Sequence, residues 1–172
     1  TATTCEAGPE LPYKLFYGCA AGVSAQAFVV LGGEHSGTSI RQYDATHGWS
    51  EDWPELTTAR YAHGCAAYGR VTNTDYQFLK IIVAGGWNNG ALASTEILDI
   101  ATKKLVEGPD MATSRSYFRV VRVERAGVEA LLALGGRNGS STYLDTVEEF
   151  LVEEEEWVER EGMGEVRAYY GA

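Results

Sequence analysis

Ile81–Gly86 (IIVAGG) is the stretch that decides the fold, because the same arrangement occurs twice more in the chain. Phe28–Gly33 (FVVLGG) and Leu131–Gly136 (LLALGG) also place four apolar residues directly before a pair of glycines. Successive glycine pairs are separated by 53 and 50 residues. A pattern that returns at a period of this length predicts a protein built from structural repeats.

Other positions keep the phase of the glycine pairs. In each repeat a bulky residue falls in the expected third strand, a second bulky residue in the expected fourth strand, and a basic residue before the next strand. The third-strand residues are Tyr43, Leu98 and Phe150, the fourth-strand residues are Trp49, Leu105 and Trp157, and the basic residues are Arg60, Arg115 and Arg167. The segment Tyr17–Gly22 matches His63–Tyr68, and this alignment places Lys14 opposite Arg60.

The apolar stretch before each glycine pair has a physical reason. A strand that is apolar at every position, rather than at every second one, is expected where neighbouring sheets bury both of its faces. The glycines that follow permit unusual dihedrals and a close approach of another backbone. We therefore expect each repeat to be a four-stranded antiparallel sheet that cannot bury its own faces and depends on its neighbours.

The repeat resembles the kelch family, whose motif has an Arg before the first strand, a Gly-Gly after the second, a Tyr in the third and a Trp before or in the fourth. The chain departs from this motif at Leu98 and Leu105, and at Lys14 in the position of the Arg. The resemblance implies an all-β fold, a kelch-type β-propeller. Three four-stranded antiparallel blades are visible in the sequence, as part of a six- or seven-bladed ring.

The expected organisation is a partial propeller over the whole chain. We expect 1–11 to be the last strand of a preceding blade, and 165–172 to be the start of a further blade. The three complete blades are predicted at 12–58, 59–112 and 113–164. Three blades are too few to close a ring. We favour an internal piece of a longer propeller over several copies that assemble to complete one.

Composition narrows the classes of partner. The net charge is −10, and the longest basic run is Lys103-Lys104, which disfavours nucleic acid and anionic membrane surfaces. No stretch reaches the length of apolar residues that a transmembrane helix needs. The odd count of three cysteines favours a reducing compartment or a partner cysteine elsewhere, so a cytoplasmic location is favoured over an extracellular one.

One face of the repeats carries the candidate binding residues. The loops after the second and fourth strands of a meander lie on the same side, and in proteins that resemble this one that side usually binds the partner. The residue types there are typical of binding surfaces. The candidates are His35, Arg60, Tyr61, Trp87, Asn88, Arg115, Tyr117, Arg137, Asn138, Arg167 and Tyr169. The alternative for the repeated arginines is a structural role that ties one blade to the next.

Other conspicuous residues have simpler interpretations. His63 is expected to be a hydrogen-bonded core histidine, because the three histidines show no metal-ligand spacing. Cys19 and Cys65 appear at equivalent positions and are expected to be small buried thiols, although a disulfide stays open. The run Glu153–Glu156 is expected to be a solvated turn on the opposite face, with an acidic docking patch as the alternative.

We therefore expect a non-catalytic protein-interaction module with no cofactor, metal or catalytic residue. The kelch resemblance implies a protein or peptide partner, in the role of scaffold, ubiquitin-ligase adaptor, or actin- or filament-associated protein. One alternative is an enzyme that resembles galactose oxidase or other kelch-type enzymes, with its catalytic residues in missing blades. Another is a structural subunit of a larger filament-associated assembly. Fold alone does not choose among these roles.

Overall fold

Twelve β-strands, grouped in three four-stranded sheets, make up the regular structure of the chain. The structure is a computed structural model and describes residues 10–35, 37–70, 78–139 and 142–169. The first sheet contains β1 (Cys19–Gly22), β2 (Ala27–Leu31), β3 (Ile40–Asp44) and β4 (Gly48–Ser50). The second contains β5 (Gly64–Arg70), β6 (Phe78–Ala84), β7 (Thr95–Asp99) and β8 (Leu105–Gly108). The third contains β9 (Arg119–Arg125), β10 (Val128–Asn138), β11 (Thr142–Leu151) and β12 (Glu156–Arg160).

Each sheet is an antiparallel meander in which strands adjacent in sequence are adjacent in space. The described residues contain strands, turns and bends but no helix, so none of them forms a helix that could cross a membrane. The all-β prediction, with three four-stranded antiparallel units, is therefore confirmed.

The sheets pack face to face through two apolar cores. Ile81 and Val83 of β6 point into the core between the first and second sheets, which they share with Val29 and Leu31. Ile82 and Ala84 point into the core between the second and third sheets. These four residues of β6 are fully buried, so both faces of this part of the strand are covered. The unbroken apolar stretch 81–84 therefore has the predicted cause, which is burial between two neighbouring sheets.

The register confirms the predicted equivalence of the bulky positions. Tyr43 pairs with Trp49, Leu98 with Leu105, and Phe150 with Trp157 across the third and fourth strands. The paired rings of the third sheet lie 5.3 Å apart between centroids, and those of the first sheet also lie 5.3 Å apart. These cross-strand pairs stabilise the outer half of each sheet.

The glycine pairs mark where one sheet approaches the next. Gly85 has φ +58°, and a Cβ atom there would lie 2.6 Å from the carbonyl oxygen of Arg115. Gly86 has φ +102° and donates a backbone hydrogen bond of 2.8 Å to the same oxygen. Only glycine combines this backbone conformation with so close a contact.

Cys19 and Cys65 form a disulfide that joins β1 to β5, so the expectation of buried thiols is wrong. Cys19 pairs in register with Leu31, next to the glycine pair, whereas the residue at the corresponding place in the second sheet is Gly64. The two cysteines are therefore offset by one residue rather than equivalent. Because side chains alternate between the faces of a strand, this offset directs Cys19 towards the second sheet and Cys65 towards the first sheet. The two side chains therefore meet.

Each sheet lies inside one of the predicted ranges. The strands of the three sheets span 19–50, 64–108 and 119–160, within 12–58, 59–112 and 113–164. The strand expected within 1–11 falls mostly outside the described residues. Between Glu165 and Tyr169 the described backbone contains no strand. Arg167 and Tyr169 nevertheless make backbone hydrogen bonds to the third repeat that match those of Arg115 and Tyr117 to the second repeat.

Candidate functional site

Two of the predicted face residues, Arg60 and Arg115, are buried, with relative exposures of 1% and 0%. The guanidinium of Arg60 donates to the carbonyl oxygens of Gly85 and Ser94 at 2.8 and 2.9 Å and to Glu96 Oε1 at 2.8 Å. Burial lowers the pKa of Arg60, and the adjacent Glu96 carboxylate counteracts that effect. An arginine keeps its charge in proteins, so Arg60 is half of a buried ion pair.

Arg115 repeats this arrangement in the third sheet. It donates to the carbonyl oxygens of Gly135 and Thr146 at 2.9 and 3.2 Å and to Glu148 Oε1 at 2.5 Å. Glu148 also accepts the backbone N–H groups of Ala112 and Thr113, at 2.7 and 3.1 Å. Neither Arg60 nor Arg115 presents its charge to a partner; that part of the predicted binding face is wrong, because both charges are neutralised inside their own sheet.

The backbone of each arginine, rather than its side chain, connects neighbouring sheets. Gly33 N–H donates to the Arg60 carbonyl at 3.0 Å, and Gly86 N–H donates to that of Arg115 at 2.8 Å. The side chains stay within one sheet. The structural alternative for the arginines therefore holds in a modified form, with the sheet-to-sheet link made by the main chain.

The first sheet lacks the buried ion pair. By register, Leu15 and not Lys14 occupies the position of Arg60, since Glu34 N–H bonds the Phe16 carbonyl as Trp87 N–H bonds that of Tyr61. Arg41, which pairs with Val30, occupies the position of Glu96, which pairs with Val83. The alignment of Lys14 with Arg60 is wrong by one residue, and Lys14 is exposed.

Four tyrosines meet on one side of the sheets, and we call Tyr17, Tyr61, Tyr117 and Tyr169 the tyrosine cluster. The rings of Tyr17 and Tyr117 meet edge to face with centroids 5.6 Å apart, and Tyr61 lies 6.4 Å from Tyr17. Tyr169 lies 4.3 Å from Tyr117. Tyr17 and Tyr169 are more than half exposed, at 56% and 55%. Three of these four rings were predicted at the binding face, and the structure brings them together with Tyr17.

Arg137 lies at one end of the tyrosine cluster and contacts its rings. Its guanidinium lies 5.9 Å from the ring centroids of Tyr117 and Tyr169 and 5.7 Å from that of Tyr143. It also donates a hydrogen bond to the Tyr169 hydroxyl, which raises the pKa of Arg137. A cation over aromatic faces is attracted by the ring quadrupoles, so this arginine fixes the rings while its positive charge stays at the surface.

The remaining predicted face residues lie in the neighbouring loops. Trp87 forms an isolated bridge with Tyr61 and is half-buried, and the next residue, Asn88, is exposed. Asn138 accepts a hydrogen bond of 3.0 Å from the Ser114 hydroxyl. His35 packs edge to face against Phe16, with ring centroids 5.4 Å apart, on the side of the first sheet.

Arg167 differs from the other two basic residues of the repeat. Its guanidinium is exposed and pairs at 3.0 Å with Glu165, which is exposed as well. Pairs of this kind in solvent contribute little to stability. Among the three arginines that the motif aligns, Arg167 alone keeps its side chain at the surface.

A cavity of about 170 Å³ adjoins the tyrosine cluster. Its exposed boundary is formed by Tyr17, Tyr169 and Arg119, and its buried boundary includes Ala62 and His63. Burial, followed by the charge of Arg60, lowers the pKa of His63 to about 3, so the imidazole is neutral near pH 7. Its nitrogens face the carbonyls of Leu31 and Arg60 without reaching good hydrogen-bond geometry.

His63 is a packing residue by position. It aligns with Phe118, because each packs over the first glycine of the preceding sheet, His63 over Gly32 and Phe118 over Gly85. His63 is 1% exposed, so the expected core placement is found, although the expected good hydrogen bonds are not. Within the described parts of the chain, no three His, Cys, Asp or Glu side chains come together in a way that could hold a metal ion.

The acidic run Glu153–Glu156 is exposed; its first three residues lie in the turn between β11 and β12, and Glu156 begins β12. Glu155 bridges to Lys80 of the second sheet at 2.9 Å. The run therefore includes a contact between two sheets, which a purely solvated turn would not have.

No protein-family model matches this chain, and no curated protein matches it either.

Sequence reasoning missed Tyr17 and Tyr143 as members of this face. Tyr17 has a signal in the sequence, since a tyrosine stands two residues after each of the two later basic residues, at Tyr117 and Tyr169. The one-residue error in aligning the first repeat concealed it. Tyr143 has no counterpart in the other repeats and is placed by the long strand β11.

Proposed function

We propose that this chain is a non-catalytic protein-interaction module of the kelch β-propeller class, and that the tyrosine cluster with Arg137 binds a polar or acidic peptide segment of a partner protein. The support for the propeller is the recurrence of one meander three times, with β1 packed against β5 and β5 against β9. This is the radial arrangement that successive blades would have, with their first strands innermost.

The observation that carries the binding proposal is the exposed aromatic surface. The tyrosine rings contact one another and Arg137, and none of them takes part in the apolar cores. Tyrosine and arginine are among the residues enriched at the positions that dominate binding energy in protein interfaces. The rings provide contact area for a partner, and their hydroxyl groups can form hydrogen bonds with it. Arg137 supplies a positive charge on a chain of net charge −10.

The experiment is selection of peptides on the 172-residue chain from a random display library, followed by affinity measurement with fluorescently labelled peptides. Arg137→Glu and Tyr169→Ala should each weaken binding at least tenfold while the circular dichroism spectrum stays unchanged. The matched control is Arg125→Glu, which reverses an exposed charge at the β9–β10 turn, at the other end of the third sheet. Equal weakening by the control, or none by the two face variants, would overturn the proposal.

A further inference from the structure

Tyr17, Ala62, Tyr117 and Tyr169 occupy one and the same position in successive repeats. All four adopt a left-handed backbone, with φ of 53°, 52°, 54° and 59°. The backbone N–H of each donates to the carbonyl of the one before it, at 2.7 Å (Ala62 to Tyr17), 2.8 Å (Tyr117 to Ala62) and 3.1 Å (Tyr169 to Tyr117). Such a conformation is uncommon for residues other than glycine, so its recurrence with the same hydrogen bond establishes the equivalence.

Ala62 is the member of this set that has no ring. The rings of Tyr17 and Tyr117, which belong to the positions before and after it, come within 5.6 Å of each other. The cavity of about 170 Å³ lies at this place and is lined by Ala62 together with the rings of Tyr17, Tyr117 and Tyr169. An alanine where the repeat otherwise has tyrosine thus leaves a space beside the tyrosine cluster.

The size and lining of the cavity suit one aromatic ring. Cavities of about 150 Å³ accommodate a benzene molecule when their walls are apolar. Here the walls include three tyrosine rings, and aromatic rings favour edge-to-face and offset contacts with one another. Arg119 stands exposed at the boundary, where a guanidinium can lie over the face of an entering ring. The rest of the lining includes the neutral His63 and the half-buried Gly18 but no carboxylate, so it offers no counter-charge to a cation.

We propose that this cavity, the Ala62 pocket, receives a single aromatic side chain, tyrosine in the first instance, from the segment of the partner protein bound at the tyrosine cluster. The entering ring takes the place that a tyrosine of the chain itself occupies at the three equivalent positions. This inference rests on the proposed function, since the partner must present the side chain at that face. It adds an aromatic anchor residue to the polar or acidic segment proposed above.

The first test uses p-cresol, the side chain of tyrosine, and amide chemical shifts of the ¹⁵N-labelled chain. Titration should move the amide signals of Ala62, His63 and Tyr117 and leave those of the β9–β10 turn unchanged. Ala62→Tyr should weaken p-cresol binding at least tenfold by filling the pocket, because the backbone at this position already carries tyrosine in three repeats. Ala62→Ser leaves the space open and should bind as the original chain does.

The shift map on the unmodified chain is sufficient by itself if Ala62→Tyr does not fold. Shifts confined to the pocket support the proposal. Shifts elsewhere, no shifts up to the solubility limit of p-cresol, or equal binding by Ala62→Tyr and the original chain each overturn it.

Failure of the pocket and failure of the proposed function have different signatures. In a selected peptide, replacing its aromatic residue by Ala should weaken binding at least tenfold on the original chain and have no effect on Ala62→Tyr. If Arg137→Glu weakens peptide binding but p-cresol does not enter the pocket, the interaction module stands and the pocket is excluded. If p-cresol enters and Arg137→Glu leaves peptide binding unchanged, the proposed binding face is excluded and the pocket remains a site for small aromatic molecules.

Discussion

At the scale of single residues, the repeated arginines recur as the sequence motif predicts, but two of them do not have the binding role that was predicted for them. Arg60 and Arg115 recur because each is needed inside its sheet, where it neutralises a buried glutamate and satisfies backbone carbonyls. Their partners, Glu96 and Glu148, accept hydrogen bonds from the backbone that leads into their own sheet. The glutamates lie 36 and 33 residues after their arginines, so spacing alone does not pair them, and only the register shows that each glutamate meets its arginine.

Glu96→Gln should destabilise the chain by about 3 kcal/mol, because a buried arginine that loses its carboxylate remains charged without compensation. Glu107 pairs with Glu96 in register on the neighbouring strand and is exposed, so Glu107→Gln is the matched control and should change stability by less than about 0.5 kcal/mol. Urea denaturation followed by circular dichroism measures both. Coincident curves for the two variants would mean that the buried pair does not contribute as described.

At the scale of the strand, equivalent residues of the three repeats could be aligned correctly wherever a characteristic residue type recurs. The glycine pairs, the third-strand residues and the fourth-strand residues are all in the predicted register. The first strand of the first sheet is the exception. The segments Tyr17–Gly22 and His63–Tyr68 contain similar residue types and were therefore aligned directly with each other. Residue types do not reveal a shift of one residue, although such a shift moves every side chain to the opposite face of the strand.

The disulfide depends on that shift, since equivalent residues of consecutive sheets face the same way and cannot meet. It closes a loop with a sequence separation of 46 residues between its cysteines. A bridge over such a loop should contribute about 2–4 kcal/mol, chiefly by restricting the unfolded chain. Disulfides are typical of oxidising compartments, which weakens the expectation of a cytoplasmic location.

Reduction should therefore lower the urea midpoint of the original chain. A double variant, Cys19→Ser with Cys65→Ser, should unfold at the reduced midpoint whether or not reductant is present. Thiol titration of the denatured, unreduced chain should show that two of its three cysteines are unreactive because the bridge holds them. Three reactive thiols before reduction would contradict the bridge.

At the scale of the whole molecule, the second sheet is the centre of the structure because apolar cores cover both of its faces. The sequence predicted three four-stranded sheets, and from the unbroken apolar stretches it predicted that the second strand of each sheet is buried on both faces. It could not predict the Ala62 pocket, because a cavity depends on how rings from three repeats lean towards one another. Nor could it separate buried from exposed arginines, since both kinds follow the same motif.

The stability of the molecule should depend on pH through His63. Its pKa is lowered from 6.5 to about 3 by burial. Between these pH values the imidazole of the folded chain therefore stays neutral, whereas that of the unfolded chain takes up a proton. This contribution to stability is fully present above pH 6.5 and is lost as the pH falls towards 3. The loss approaches about 1.4 kcal/mol per pH unit well below the ordinary pKa.

His63→Phe isolates this contribution, because Phe118 fills the equivalent place over Gly85. Urea denaturation between pH 4 and 8 should show a shallower decrease for the variant than for the original chain. Parallel pH profiles would mean that the imidazole is protonated in the folded state or reached by solvent.

The bridge between the first two sheets also determines how the chain would respond to tension applied at its two ends. Force would pass through the sulfur atoms and bypass the residues between them, so these could not be drawn out. With 46 residues of separation, the fully extended oxidised chain would be shorter than the reduced chain by about 150 Å. The third sheet lies outside the bridged loop, so it alone among the sheets could be extended over its full length while the bridge is intact.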